Sequence, residues 1–383
     1  MEKIVNTILP SLEQIRKEIH KNPELSEHEY NTSKRIQSYL SLHTNGKVKA
    51  IAQTGVMVTF DSGIEGNSIM LRADTDALPI EEINTFDYKS NSFGISHKCG
   101  HDGHTAMMLG VARMLTENPI KKGKVVLLFQ PAEENGMGAE AVLNDDHFQN
   151  LKFDYVFALH NIPGYPKNQI ILKENIFNAN VKSMIIKLKG KTAHAAEPEK
   201  GYNPGLALAE IMQYAEKITN NNPSAEDFFL ITPVHMKMGD LAYGISAGEG
   251  ELHLTIRSWD LKLFDEKCAD LESFINNKCA EFNLKPEISW TQIFFANKND
   301  NSANEFVRKA AKHNKFDIHE KTDPFKWGED FGLFTQLFKG AMFGLGAGET
   351  TPALHNPDYD FPDDITSTGI RLFFQIIQET TNL

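Results

Sequence analysis

The chain lacks a basic excess, a long apolar run and a disulfide set, and each shortage closes off a class of function. Lysine and arginine total 39 against 51 aspartates and glutamates, a net charge of −12. No positive field exists to hold phosphates, so nucleic-acid and anionic-membrane binding are excluded as first readings. No run approaches the roughly 20 apolar residues of a membrane-spanning helix. The three cysteines, Cys99, Cys268 and Cys279, are odd in number and far apart, which gives no disulfide framework and fits a reducing cytoplasm. Low-complexity tracts, internal repeats and long flexible linkers are missing too. The N-terminal stretch has no apolar core with a cleavage site. Instead it repeats Ile4, Ile8, Leu12, Ile15 and Ile19 at helical spacing, an amphipathic helix expected to stop near Asn22-Pro23. With an ordinary hydrophobic content of 41%, the chain reads as an enzyme acting on small molecules.

At 383 residues it exceeds one comfortable core, so two domains are expected. Between residues 178 and 293 the pattern runs strand (Val181 to Leu188), helix (Pro204 to Ile218), strand (Phe228 to Met238), strand (Glu251 to Trp259), helix (Leu261 to Phe282), strand (Pro286 to Phe294). That is βαββαβ, the ferredoxin-like α+β order. Alternation in Met184, Ile186, Leu188 and in Leu252, Leu254, Ile256 suits a sheet with one less buried face. The flanks, 1–177 and 294–383, look like αβ units and share the metal-type residues. They are expected to form one discontinuous α/β domain, with 178–293 inserted as a lid or dimerisation surface.

Four apolar segments run into residues of ligand or acid/base type: SIMLRADTD to Asp76, KVVLLFQPAEE to Glu134, DYVFALH to His160 and AMFGLGAGETTPALHN to His355. Near-continuous apolar strands belong to a mostly parallel sheet, which places its ligands at the strands' carboxyl ends. The densest cluster, HKCGHDGHT, holds His97, Cys99, His101, Asp102 and His104. Cys99 and His101 suit a borderline-soft divalent ion, zinc first, with manganese, cobalt or nickel if carboxylates and water complete the shell. An isolated Cys-x-His is more often a buried small hydrophobe and a turn histidine. Here Gly100 and Gly103 bracket a polar, helix-opening turn instead. Met107, Met108, Val111 and Leu115 that follow are a core-facing stripe.

Glu133 and Glu134 are adjacent and cannot do one job in one direction. One can bind metal while the other takes a proton from water, the pairing that metal-assisted hydrolysis needs. His160 and His355 supply donors enough for two ions. Asp76 suits a supporting role, accepting from a ligand imidazole; Asp74 is equally a turn residue and receives no role. In the inserted segment, His194 could donate to an oxyanion, Arg257 could clamp a substrate carboxylate, and Asn203 lies nearby in sequence. Each of these also has an ordinary structural reading.

The succession LRADTDALP, HKCGHDGHTAM, FQPAEE, ALHN, GKTAHAAEP, GEDFG and LHNPDYDFPDD resembles the amidohydrolase branch of the dinuclear-metal aminoacylase and carboxypeptidase family. The resemblance spans nearly the whole chain, in order. It implies a zinc-exopeptidase-like αβα catalytic domain with an inserted ferredoxin-like domain. It further implies two divalent ions per subunit, held by Cys99, His101, Glu134, His160 and His355, with Cys99 bridging them. Glu133 matches the general base, and His194 the inserted-domain histidine that contacts substrate, in some relatives from the neighbouring subunit of a dimer. Three departures bear on specificity: Thr192-Ala193 precede His194 where the branch often has Gly-Gly, Glu197 and Glu199 follow it and make that loop more acidic, and GEDFG differs slightly from the usual Ser-Glu-Asp-Phe. The expected function is hydrolysis of an N-acyl amino acid by a cytoplasmic, homodimeric metalloenzyme. A dipeptidase or aminopeptidase with the same metal pair, a metal-dependent binding protein and a Cys99 nucleophile are the alternatives.

Overall fold

The computed structural model describes residues 2–381. They divide into two compact units: the chain up to Phe177 with Asn297–Thr322 and everything from Glu329 onwards, and Asn178–Ala296 with Asp323–Gly328. The short Asp323–Gly328 stretch joins the second unit because Asn178 bridges to Phe325, and its amide donates to the Trp327 carbonyl.

The first unit is built on an eight-stranded mixed sheet. Its lateral order is Lys47–Ile51, Gly55–Asp61, Lys124–Gln130, Ser68–Asp74, Tyr155–Pro163, Gly340–Gly348, Ile170–Leu172, Ile318–Glu320. The middle four strands run parallel, and the antiparallel pairings lie outside them. These middle strands are the near-continuous apolar runs, and their burial explains the composition: all nine residues of Gly340–Gly348 are buried. Ile69 and Leu71 join the large core, while Met70 between them faces the other way and is equally buried, so both faces of the sheet are covered. Each fully buried Leu or Ile here contributes about 1.5–3 kcal/mol.

The helix Glu2–Lys21 packs Val5, Ile8, Leu12, Ile15 and Ile19 into that core, together with residues of His101–Glu117, Asn301–His313 and Thr366–Thr381. It ends where expected, ahead of Pro23. Its buried face also carries Arg16 and His20, which the apolar repeat alone did not announce.

The second unit carries a four-stranded antiparallel sheet in the order Phe229–Met238, Glu249–Ser258, Asn180–Lys189, Lys285–Phe294, with helices Gly205–Ile218 and Leu261–Glu281. This is the ferredoxin-like arrangement. Leu252, Leu254 and Ile256 are buried against the helices, and the alternate residues are only partly covered, as the period-two pattern requires. The longer helix begins cleanly because Asp260 accepts the Leu263 N–H at 2.7 Å. Among the described residues, no helix is long and apolar enough to cross a membrane.

Candidate metal centre

Three neighbouring strands of the first unit's sheet supply one polar cluster. Ser68–Asp74 delivers Asp74 and, just beyond it, Asp76; Lys124–Gln130 leads into Glu133 and Glu134; Tyr155–Pro163 carries His160. His160 is not at the end of its strand, as the sequence suggested. Pairing with Gly340–Gly348 carries the strand on to Pro163. Cys99 and His101 flank Gly100, whose φ of 95° is a left-handed conformation that favours glycine. A side chain there would also strike the Asn161 amide oxygen at 2.5 Å. His355 sits at φ 67° in its loop, with its N–H donating to the Lys98 carbonyl at 2.7 Å, beside Cys99.

The ligand-type atoms converge. Cys99 Sγ lies 3.5 Å from His160 Nε2. Glu134 reaches both ways, to His101 Nε2 at 3.8 Å and to His355 Nε2 at 3.7 Å. Cys99, Glu134 and His355 offer atoms within 4.8 Å of one another, and so do Asp74, His101, His104 and His160. Glu133 Oε2 also approaches His101 Nε2, at 3.9 Å. The two adjacent glutamates therefore face the same imidazole.

Hydrogen bonds sort these imidazoles. His101 donates from Nδ1 to the Asp76 carbonyl at 3.0 Å and to its carboxylate at 3.2 Å, which turns Nε2 toward the cluster. Asp76 also accepts the Glu134 N–H at 2.9 Å and the Ser26 hydroxyl at 2.7 Å, so one carboxylate aligns two of the donors. His160 uses Nδ1 on the Asn161 carbonyl at 2.9 Å. His104 donates from Nδ1 to Asp74 at 2.6 Å and accepts the Asn161 N–H on Nε2 at 3.2 Å, which occupies both its nitrogens.

The electrostatics favour a cation. Burial lowers the pKa of His101, yet Asp74, Asp76 and Glu134 outweigh it and raise the group to about 10. Burial lifts Glu134 to about 8 against the opposing pull of His101, and pushes Glu133 up with help from Glu329 and Glu134. Burial, then the Glu134 and Glu133 carboxylates, push the Cys99 thiol up. Acidic groups this crowded keep protons unless a cation compensates them. Among the buried side-chain atoms without a hydrogen-bond partner are His101 Nε2 and Glu134 Oε1, which lie 3.8 Å from each other. Buried polar atoms are rarely left so, and a soft-to-borderline divalent ion fits the S, N and O donors present.

The three residues singled out in the inserted segment lie in the second unit. His194 is exposed and accepts the Ala196 N–H on Nδ1 at 3.1 Å. Asn203 accepts the Gly205 N–H and donates to Ser246, at 2.8 and 3.0 Å. Arg257 donates from Nε to the Lys326 carbonyl at 2.8 Å.

Sequence reading missed the buried charges beneath the cluster. Arg72 is held by Asp74, Glu329 and Asp330, and Arg16 and His20 by Asp102. The available signal was an arginine inside an otherwise apolar strand, SIMLRAD, which demands a buried counter-charge.

Against known proteins, residues 70–379 match the model of "Peptidase family M20/M25/M40". The N-acetyl-L-cysteine deacetylase of Bacillus subtilis is 33% identical over 89% of this chain and 82% of its own length. The hippurate hydrolase of Campylobacter jejuni is 30% identical over 95% of each chain. A Bacillus subtilis crystal structure described as a dinuclear metal binding peptidase from the M20 family superposes with a TM-score of 0.82 at 25% identity, covering 98% of this chain and 99% of that one. The match over residues 70–379, together with relatives and a solved structure that cover nearly the whole chain, places it in peptidase family M20/M25/M40, in its amidohydrolase branch.

Proposed function

We propose that the protein hydrolyses the amide bond of N-acyl amino acids, giving a carboxylic acid and a free amine. The observation that carries this reading is the pair of buried, unpartnered atoms His101 Nε2 and Glu134 Oε1, set beside a further carboxylate, Glu133. Cys99, His101, Glu134, His160 and His355 would hold two divalent ions, zinc or manganese first, with Cys99 shared. Its place supports sharing, since its sulfur lies 3.5 Å from His160 Nε2 and within 4.8 Å of ligand-type atoms of Glu134 and His355. Bound there, such ions polarise an amide carbonyl and acidify water.

Glu133 then does the proton work. It takes a proton from the attacking water as the new C–O bond forms, and returns it to nitrogen as the C–N bond breaks. Asp76 keeps His101 and Glu134 in line. From the second unit, His194 stabilises the oxyanion, from its own subunit or a partner's, and Arg257 takes the substrate carboxylate, with Asn203 nearby. The deacetylase and hippurate hydrolase among the relatives support the N-acyl amino acid class. The homodimer is proposed through the second unit, where Phe229–Met238 is an edge strand with Val234, Met236 and Met238 exposed.

The test is amine release from N-acetyl, N-benzoyl and indoleacetyl amino acids, with free dipeptides alongside. Release from acylated substrates supports the reading. Cleavage of dipeptides alone, with a free amino group required, replaces it with a peptidase.

A further inference from the structure

Arg72 is a fully buried guanidinium among the acidic groups near the proposed base, and its bonds are divided among four partners. Nε donates to Gln130 at 3.0 Å; Nη1 donates to Asp74 at 2.6 Å and, more weakly, to Glu329 at 3.4 Å; Nη2 donates to Glu329 and to Asp330, both at 2.8 Å. Asp330 is locked further by both contacts of the Gln130 amide, 2.9 and 2.8 Å, and by the Ala139 N–H at 2.8 Å. Glu329 has fewer ties, Arg72 and the Phe331 N–H at 3.1 Å. Carboxylate oxygens of Glu133, Glu329 and Asp330 lie within 4.8 Å of one another.

Arg72 and Glu133 share Glu329 and Asp330 as neighbours, so the guanidinium would capture Glu133 if it were short of partners. An arginine–carboxylate pair is bidentate and strong in a buried setting, and it would draw the Glu133 carboxylate away from His101. Glu329 and Asp330 already occupy Nη2, and Asp74 occupies Nη1. We propose that Glu329 is a positioning residue: by sequestering Arg72 it keeps the Glu133 carboxylate unpaired and turned toward His101. This rests on the reading of Glu133 as the general base. Asp330 serves chiefly to fix the Pro131–Ala139 loop through Gln130 and Ala139.

The test compares Glu329→Gln and Glu329→Asp with Glu133→Gln and the parent protein, in metal-reconstituted form, by kcat, KM and metal content. Loss of the Glu329 charge frees Arg72 to pair with Glu133. Glu329→Gln is expected to lower kcat about 100-fold, the lower end of a general base's worth, with KM and metal content at the parent's values. Glu329→Asp, which keeps the charge one methylene short, is expected to recover about tenfold of that loss. A kcat for Glu329→Gln within about twofold of the parent overturns the proposal, as does a loss expressed in KM or metal content. Should the Gln protein not fold, the Asp variant decides alone: reduced kcat at parental KM and metal supports the proposal, and unchanged kcat overturns it. Near-normal turnover by Glu133→Gln removes the underlying reading and this proposal with it. An inactive Glu133→Gln beside a fully active Glu329→Gln removes only this proposal.

Discussion

His104 accepts the backbone N–H of Asn161 on its Nε2 at 3.2 Å, so this imidazole has no lone pair left for a cation although it lies among ligand-type groups. A nitrogen that accepts is unprotonated, which puts the proton on Nδ1, where it is donated to Asp74. His104→Gln should therefore retain the metal content of the parent after dialysis. His101→Gln and His160→Gln should lose metal. Elemental analysis of the three proteins checks this, and depletion in the His104 variant equal to that of His101→Gln would count against the division.

Asp76 aligns His101 through Nδ1 and Glu134 through its N–H. Removing such an orienting carboxylate typically costs about 10–100-fold in metal affinity. Asp76→Asn keeps the size but turns an NH2 either toward His101 or toward the Glu134 N–H and the Ser26 hydroxyl, donors that the carboxylate accepts. Competition with a chromophoric chelator should show affinity weakened in that range, with the fold unchanged by circular dichroism.

Gly138 makes the loop carrying both glutamates possible. A Cβ there would stand 1.7 Å from the Pro131 carbonyl oxygen, a backbone atom that cannot swing aside. Gly138→Ala should destabilise the protein by about 3 kcal/mol or more and lower metal content in whatever folds. Denaturant unfolding with matched elemental analysis checks it, and a stability equal to the parent's would show that the loop has slack.

The helix Glu2–Lys21 brings a pH-dependent contact into the core. His20 donates toward Asp102 at 2.8 Å and Glu82 at 3.0 Å, with Asp360, Arg16, Lys98 and His97 around them. Burial lowers its pKa, but the two carboxylates outweigh that and raise it to about 9 from an ordinary value of 6.5. A raised folded-state pKa means that the stabilisation is fully present below pH 6.5 and is lost as pH climbs from 6.5 through 9. Melting temperatures across that window should fall in the parent protein. His20→Gln should melt lower at pH 6 and show a flatter profile; a parent profile that rises from pH 6.5 to 9 would contradict the assignment.

Much of the fold was legible because its signals are local. KVVLLFQ is apolar between its first and last residues and AMFGLGAG is apolar throughout, and both became central strands buried on both faces, while Leu252, Leu254 and Ile256 alternate and line a one-sided core. Cys99 and His101 stood out because Gly100 between them and Gly103 just beyond mark a polar, helix-opening turn. What could not be read is long-range: Arg72 meets Glu329 and Asp330 across more than 250 positions, and Arg16 meets Asp363 across 347. No periodicity records such pairings. Asp74 received no role from sequence for the same reason, since its meaning depends on Arg72 and His104 together. The extent of the Tyr155–Pro163 strand was likewise decided by its partner Gly340–Gly348, not by its own residues.

The most direct test of the account is amine release from an N-acyl amino acid by chelator-stripped protein, before and after a divalent ion is restored, for the parent and for Glu133→Gln. The account expects no release without metal, recovery with it in the parent, and a Glu133→Gln protein that takes up the same metal yet turns over at least about 100-fold more slowly. Full release from stripped protein, or parental turnover by Glu133→Gln, would contradict it.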